Sequence, residues 1–145
     1  TNQPFTFLPG FLGGFGIQAN YTFVDTKLNA DRREAQFGIP GASRHNVNVV
    51  AYYEKYGLGV RLAYTYRTSF LLGIGGVGNT LSTIQEPIQD LGLNVSYAIW
   101  RNLELTASAA NITGENRREY FEGRTALARY FERPRSYTFG LRASF

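Results

Sequence analysis

From Tyr137 to Phe145 apolar and polar residues change places at every step. Tyr137, Phe139, Leu141, Ala143 and Phe145 fall on one side, and Thr138, Gly140, Arg142 and Ser144 on the other. A side-chain period of two is that of a β-strand with one apolar and one polar face. The pattern recurs upstream. Phe15, Ile17, Ala19, Tyr21 and Phe23 alternate with Gly16, Gln18, Asn20 and Thr22. Val47, Val49, Ala51 and Tyr53 alternate with Asn48, Val50, Tyr52 and Glu54. Leu58, Val60, Leu62, Tyr64 and Tyr66 oppose Gly59, Arg61, Ala63, Thr65 and Arg67, and the runs from Leu91 to Ile99 and from Leu103 to Ala110 repeat the theme. The spacing predicts six strands, over 15–23, 47–54, 58–67, 91–99, 103–110 and 137–145, paired antiparallel in chain order.

The connections between these strands alternate in length. KYG and WRN are tight turns, whereas DTKLNADRREAQFGIPGASRH, the stretch 68–89 and the stretch 111–133 are long. An up-and-down barrel in an outer membrane has this asymmetry, with short turns on one side and long loops on the other. An eleven-residue strand rises roughly 36 Å, and a tilt of about 40° leaves roughly 28 Å along the membrane normal, close to the ~25 Å apolar band. The aromatic residues are sorted along the strands. Tyr21, Phe23, Tyr64, Tyr66, Tyr137 and Phe139 fall toward the long-loop end, and Phe15, Tyr53, Tyr97 and Phe145 toward the short-turn end. Two aromatic belts around an aliphatic band suit rings lying at the two headgroup levels. The expected fold is therefore all-β: an antiparallel, up-and-down segment of a transmembrane β-barrel.

Composition agrees. With 145 residues the chain has the length of one domain, and Gly 16, Tyr 10 and Phe 11 are the residues of strands and turns. Mean hydropathy is −0.24, near neutral as alternating strands require. No run of about 18 apolar residues is present to make a membrane helix. Cys 0 removes disulfide and thiolate chemistry. The net charge of +4 is spread over polar faces and loops, which gives no ground for a nucleic-acid partner.

The segments FTFLPGFLGGFGIQANYTFVDTK, RHNVNVVAYYEKYGLGVRLAYTYRTSFL, LELTASAANITGENRREYFEG and RPRSYTFGLRASF together resemble the carboxy-terminal part of TonB-dependent outer-membrane receptors, in particular the subfamily common in xanthomonads and caulobacters. The best points are Leu8-Pro9-Gly10-Phe11 ahead of Asn20-Tyr21-Thr22, then Ala110-Asn111-Ile112-Thr113, and the final Phe145. The resemblance implies a 22-stranded barrel plugged by an amino-terminal domain, and residues 1–145 as the carboxy-terminal segment of that barrel, without the plug and earlier strands. It implies an integral outer-membrane location and uptake of a scarce nutrient of the siderophore, cobalamin or glycan class. The implied partners are lipid and lipopolysaccharide, the rest of the barrel and its plug, the TonB energy-coupling complex acting through the plug, and the barrel-assembly machinery. Thr138, Gly140, Ala143 and Phe145 match the family's terminal assembly signal. Arg61, Arg67, Glu104 and Arg142 would face the lumen and plug, because a strand carries charge only away from lipid. About six strands cannot close a barrel, so the chain is expected to be one piece of a larger one. The alternatives are a soluble β-sandwich that binds a ligand and a free-standing eight-stranded barrel, which would need strands from Phe5–Leu8 and Arg117–Phe131.

No enzyme is expected and no catalytic, metal or cofactor residues are assigned. GIGGVGNT, at 73–80, lacks the Lys-Ser/Thr pair of a phosphate loop. Asn111-Ile112-Thr113 is a formal glycosylation sequon that reads as a strand exit. His45, the single histidine, reads as the polar start of a strand. GENRREYFEGRTALARYFERPR reads as mixed charge on a solvated loop, with arginines able to bind lipopolysaccharide phosphates or an anionic ligand as the functional alternative. Glu104 and Arg142 are expected to oppose each other as a cross-strand pair, near Arg61 at a similar depth, with an acidic partner for Arg61 in the plug. Deleting Phe145 from the parent protein is expected to lower its outer-membrane abundance on an immunoblot of membrane fractions; unchanged abundance would remove the assembly role.

Overall fold

The alternating stretches become one hydrogen-bonded sheet. The computed structural model describes residues 2–26, 38–75, 81–121 and 126–144. Eleven strands follow one another: β1 (Asn2–Pro4), β2 (Phe15–Phe23), β3 (His45–Lys55), β4 (Leu58–Arg67), β5 (Phe70–Gly73), β6 (Thr83–Gln85), β7 (Ile88–Trp100), β8 (Leu103–Ala110), β9 (Arg117–Phe121), β10 (Leu127–Phe131) and β11 (Ser136–Ala143). A 3-10 turn, Gly10–Gly14, leads into β2. The larger sheet has the order β1-β2-β3-β4-β7-β8-β11, antiparallel at every pairing. All six expected strands are in it, in chain order. The spans 15–23, 58–67 and 103–110 match to the residue, while β3 starts at His45 and β7 at Ile88, earlier than the alternation alone suggests. β11 is described to Ala143; the assembly-signal residue Phe145 lies outside the described residues. The sheet is not closed: β1 and β11 are its edges.

The tight turns explain the register. Tyr56 (φ 56°) and Gly57 (φ 75°) both lie in the left-handed region between β3 and β4. A two-residue turn with both residues so placed matches the right-handed twist of its strands. At the other tight turn, Arg101-Asn102, no residue is left-handed, and the β7–β8 register slips between Ala98 and Trp100. A bulge there absorbs the mismatch between turn and twist.

Two of the long connections were expected as loops and are instead folded. β5, β6, β9 and β10 form a second antiparallel sheet in the order β10-β9-β6-β5. Each of its strands has three to five residues, and register shifts at Leu71/Gly73 and Leu127/Arg129 break the period. That is why no alternation is legible there. Arg117–Phe131 thus contributes strands to this second sheet, and not to the larger one. Phe5–Leu8 forms no strand, so the eight-stranded alternative lacks its parts. Of GIGGVGNT, residues 76–80 lie outside the described residues.

The only buried hydrophobic side chains among the described residues are Phe70, Leu71 and Ile84, all in the second sheet. Leu71 is fully buried. Its truncation to alanine removes about 2–5 kcal/mol from the packing around it. Leu71→Ala is expected to speed amide hydrogen exchange in β5, β6 and β9 while β3, β4 and β7 keep wild-type rates. Equal acceleration in both sheets would mean that they open as one unit.

Candidate functional site

Register sorts the larger sheet into two faces. Phe15 opposes Tyr53, Tyr53 opposes Val60, Val60 opposes Val95, Val95 opposes Ala107 and Ala107 opposes Phe139. The row one step toward the long connections runs Ile17, Ala51, Leu62, Leu93, Ala109 and Tyr137. One face is therefore apolar over its whole breadth. It is also uncovered: Phe139 is 81% exposed, Leu141 64% and Leu105 45%. Fully burying one such side chain is worth about 1.5–3 kcal/mol, so a face of this size in water forgoes a large stabilisation. An exposed apolar surface beyond a few hundred Å² marks a membrane or protein contact.

The opposite face carries the charges. Arg61, Arg67, Glu104 and Arg142 all lie on it by register. Arg61 is paired, and its partner is Glu54 on the adjacent strand: Nη2 lies 2.5 Å and Nε 3.1 Å from Oε1. Within this chain Arg61 thus already has an acidic partner, on its own sheet. The diagonal contact is possible because Gly59, directly opposite Glu54, has no side chain to intervene. Beyond Arg61 the face is small and polar. A Cβ on Gly59 would come within 2.8 Å of Ser96 Oγ, and one on Gly140 within 2.6 Å of Thr106 Oγ1. The result is a trough of about 490 Å³ running past Asn94, Ser108 and Thr138.

Glu104 and Arg142 stand directly opposite each other on β8 and β11. The ion pairs of the described residues do not include them. Arg61 shares its row with Thr138, four residues from Arg142. At three strand spacings and four residues the separation of Arg61 from Arg142 is roughly 20 Å, so the charges form no single cluster.

Arg67 does not face open space. Its Nε donates to Ser43 Oγ (2.9 Å), its Nη2 to the Gly41 carbonyl (3.0 Å), and its guanidinium lies 4.2 Å from the Phe70 ring centre. It fastens the segment before β3 and the start of the second sheet to the end of β4. At the same level on the apolar face His45 Nδ1 shares a 2.8 Å hydrogen bond with the Tyr21 hydroxyl, and the His45 amide donates to Thr68 Oγ1 (3.1 Å). Sequence reasoning missed this contact; the register Phe23↔His45, which brings them together, requires knowing which strands pair.

Asn111 is the second fastening. It follows β8 with φ 52° and is 2% exposed. Its Nδ2 donates to the carbonyls of Glu115 (3.2 Å) and Arg133 (2.7 Å), and its Oδ1 accepts from the Glu115 amide (2.9 Å). The sequon amide is thus buried and committed to the chain itself. Arg133 in turn pairs with Asp90 on β7 at 2.6 Å, and Gln89 hydrogen-bonds Glu115. The expected solvated charge loop is instead a hairpin tied down at its base.

Among the described residues no helix is long and apolar enough to cross a membrane, and no group of three His, Cys, Asp or Glu is placed to hold a metal ion. Matches were sought among protein-family models, curated proteins and solved structures, and none was found.

Asn111→Ala loses three hydrogen bonds and sets a Cβ-bearing residue without a local side-chain bond in the left-handed region. It is expected to raise the rate of limited proteolysis between 112 and 133 severalfold, with Asn111→Gly intermediate because it relieves only the backbone strain. Identical rates for both variants would mean that the hydrogen bonds alone hold the loop.

Proposed function

We propose that this chain is a section of the wall of a TonB-dependent outer-membrane transporter. The observation that carries the reading is the larger sheet: two-faced, antiparallel throughout, apolar and exposed on one side, polar and charged on the other. Backbone groups in hydrocarbon must be satisfied within the protein, which strands achieve by pairing sideways while their faces stay free. A sandwich would bury its inner faces.

Strand tilt reconciles the aromatic belts with the register. Phe139 shares a row with Phe15, although the two are expected at opposite interfaces. Strands about 4.8 Å apart and tilted by about 40° change level by about 3 Å per strand crossed, close to 1.2 residues of projected rise. From β2 to β11 there are five steps, or roughly six residues. With the tilt that lifts β11, Phe139 comes level with Tyr21 and Tyr137 with Phe23. Two steps bring Tyr64 level with Tyr21 and Tyr66 with Phe23. Three steps bring Tyr97, from its row beside Leu58, near the level of Phe15 and Tyr53. The opposite tilt would scatter these rings. One tilt therefore yields two belts with Ile17, Ala19, Val60, Leu62, Leu93 and Val95 between them.

The open edges at β1 and β11 then belong to the remaining strands of the barrel, since an unpaired edge in lipid costs several kcal/mol per group. The polar trough with the Arg61–Glu54 pair faces a wet lumen or a polar plug. The second sheet stands at the outer mouth. The chain carries no covalent chemistry in this reading; it shapes a path for a nutrient, and energy reaches it through the plug from the TonB complex.

The absence of cysteine makes a direct test simple. Single cysteines at 60, 62, 63 and 65, one at a time in the parent protein in isolated outer membranes, are treated with a membrane-impermeant maleimide. Ala63→Cys and Thr65→Cys are expected to label at least about tenfold faster than Val60→Cys and Leu62→Cys. Equal labelling at both parities would overturn the membrane reading.

A further inference from the structure

The face of the second sheet that carries Glu119 lines two cavities and holds charges that the described residues leave incompletely paired. Register places Arg129, Glu119, Gln85 and Phe70 in one row across its four strands, with Arg117 opposite Phe131 beside it. Glu119 stands at the centre and lines two adjoining cavities, of about 550 and about 310 Å³. The larger one also reaches Arg67 and Ile88, register partners at the end of the polar face, so it lies where that face meets the outer mouth. Its volume is within the range of small-molecule sites.

The Glu119 side chain is only 10% exposed, yet it accepts no hydrogen bond from the described residues. Among the described residues its one ion-pair partner is the Nε of Arg129, 3.9 Å away on a side chain that is itself 71% exposed. A carboxylate so buried and so poorly paired is costly unless a donor arrives from outside. Arg117, two residues along the same face, takes part in no ion pair of the described residues. Of the other guanidiniums around the cavity, Arg67 is spent on Ser43 and Gly41, while Arg133 pairs with Asp90 through Nη2 and leaves a buried Nη1 without a hydrogen bond. What remains open is one acceptor, Glu119, with the Arg117 donor about 7 Å away along the strand and Arg133 Nη1 as a further donor, and Phe131 and Leu72 form the apolar wall.

We propose that this cavity binds a small zwitterion of the amino-acid or short-peptide class, with Glu119 receiving its ammonium group, Arg117 its carboxylate, and Phe131 and Leu72 its apolar part. An anion alone would meet Glu119 and Glu132, and a cation alone would meet Arg117. A molecule carrying both charges satisfies both, and charge-assisted hydrogen bonds offset a buried charge better than neutral ones. The proposal deepens the transporter reading, on which its place in an uptake path rests, by naming the ligand class at the mouth.

The test is isothermal titration calorimetry of the 145-residue chain in detergent micelles. The probes are leucyl-leucine, its N-acetyl derivative and its carboxy-terminal amide, with maltotriose and citrate alongside. Leucyl-leucine is expected to bind, and each blocked form to bind at least about tenfold more weakly. In Glu119→Gln acetylation should cease to matter, and in Arg117→Gln amidation should. Equal binding of the blocked forms, preference for maltotriose or citrate, or no binding of any probe overturns the proposal. The blocked peptides test it on the unaltered chain, whatever the variants do to folding. Because titration needs no membrane, a chain that binds the dipeptide but labels equally at both parities keeps this site and loses the transporter reading. The reverse pair of results does the opposite.

Discussion

The larger sheet is held by its backbone ladders, because it has no core. The three buried hydrophobic side chains of the described residues lie elsewhere, and no residue of β3, β4 or β11 is buried on either face. In water an inter-strand hydrogen bond contributes only about 1 kcal/mol net, since each group could bond to water instead. In hydrocarbon that competition vanishes and breaking the ladder costs several kcal/mol per group. A sheet with this distribution of side chains is therefore weakly held in one solvent and strongly held in the other. β2, β3 and β4 pair without a break, and the register shift between β7 and β8 lies next to their turn.

Two polar fastenings tie the long connections to the larger sheet. Arg67 ties the segment ahead of β3 to β4 and stacks on Phe70, which begins the second sheet. Asn111 ties Glu115, ahead of β9, and Arg133, after β10, to the end of β8. Each is a side chain at the last position of the alternating pattern or just past it, where a polar residue can turn inward without meeting the apolar face. Beyond them β6 pairs with β9, which sets Glu119 beside Gln85, and β9 with β10, which sets Arg117 beside Phe131. The cavity face is thus a consequence of how two connections are tied, and not of either connection by itself.

The division of the chain between what it states openly and what it does not follows from range. A period of two over nine or ten residues fixes which side chains share a face, because a slip by one residue would exchange the faces. So β2, β4 and β8 are legible to the residue, and chain order suffices to order them when tight turns separate neighbours. The same reasoning finds Glu104 opposite Arg142 but cannot tell that their charges stay unpaired, nor that Arg61 reaches diagonally across Gly59 to Glu54. Those outcomes depend on rotamers and on which neighbour happens to lack a side chain.

Strands of three to five residues with register shifts, such as β5 and β10, carry too few letters to display a period. Their existence is decided by partners far along the chain: β6 joins β9 across more than thirty positions. The sequence by itself determined the all-β class, the two faces and the six long strands, because those are properties of local alternation. Only the tertiary structure decided that the outer connections form a second sheet, that His45 meets Tyr21 and Asn111 closes a loop, and that Glu119 lies buried and nearly alone. Each of those depends on contacts between residues whose spacing along the chain holds no information about their distance in space.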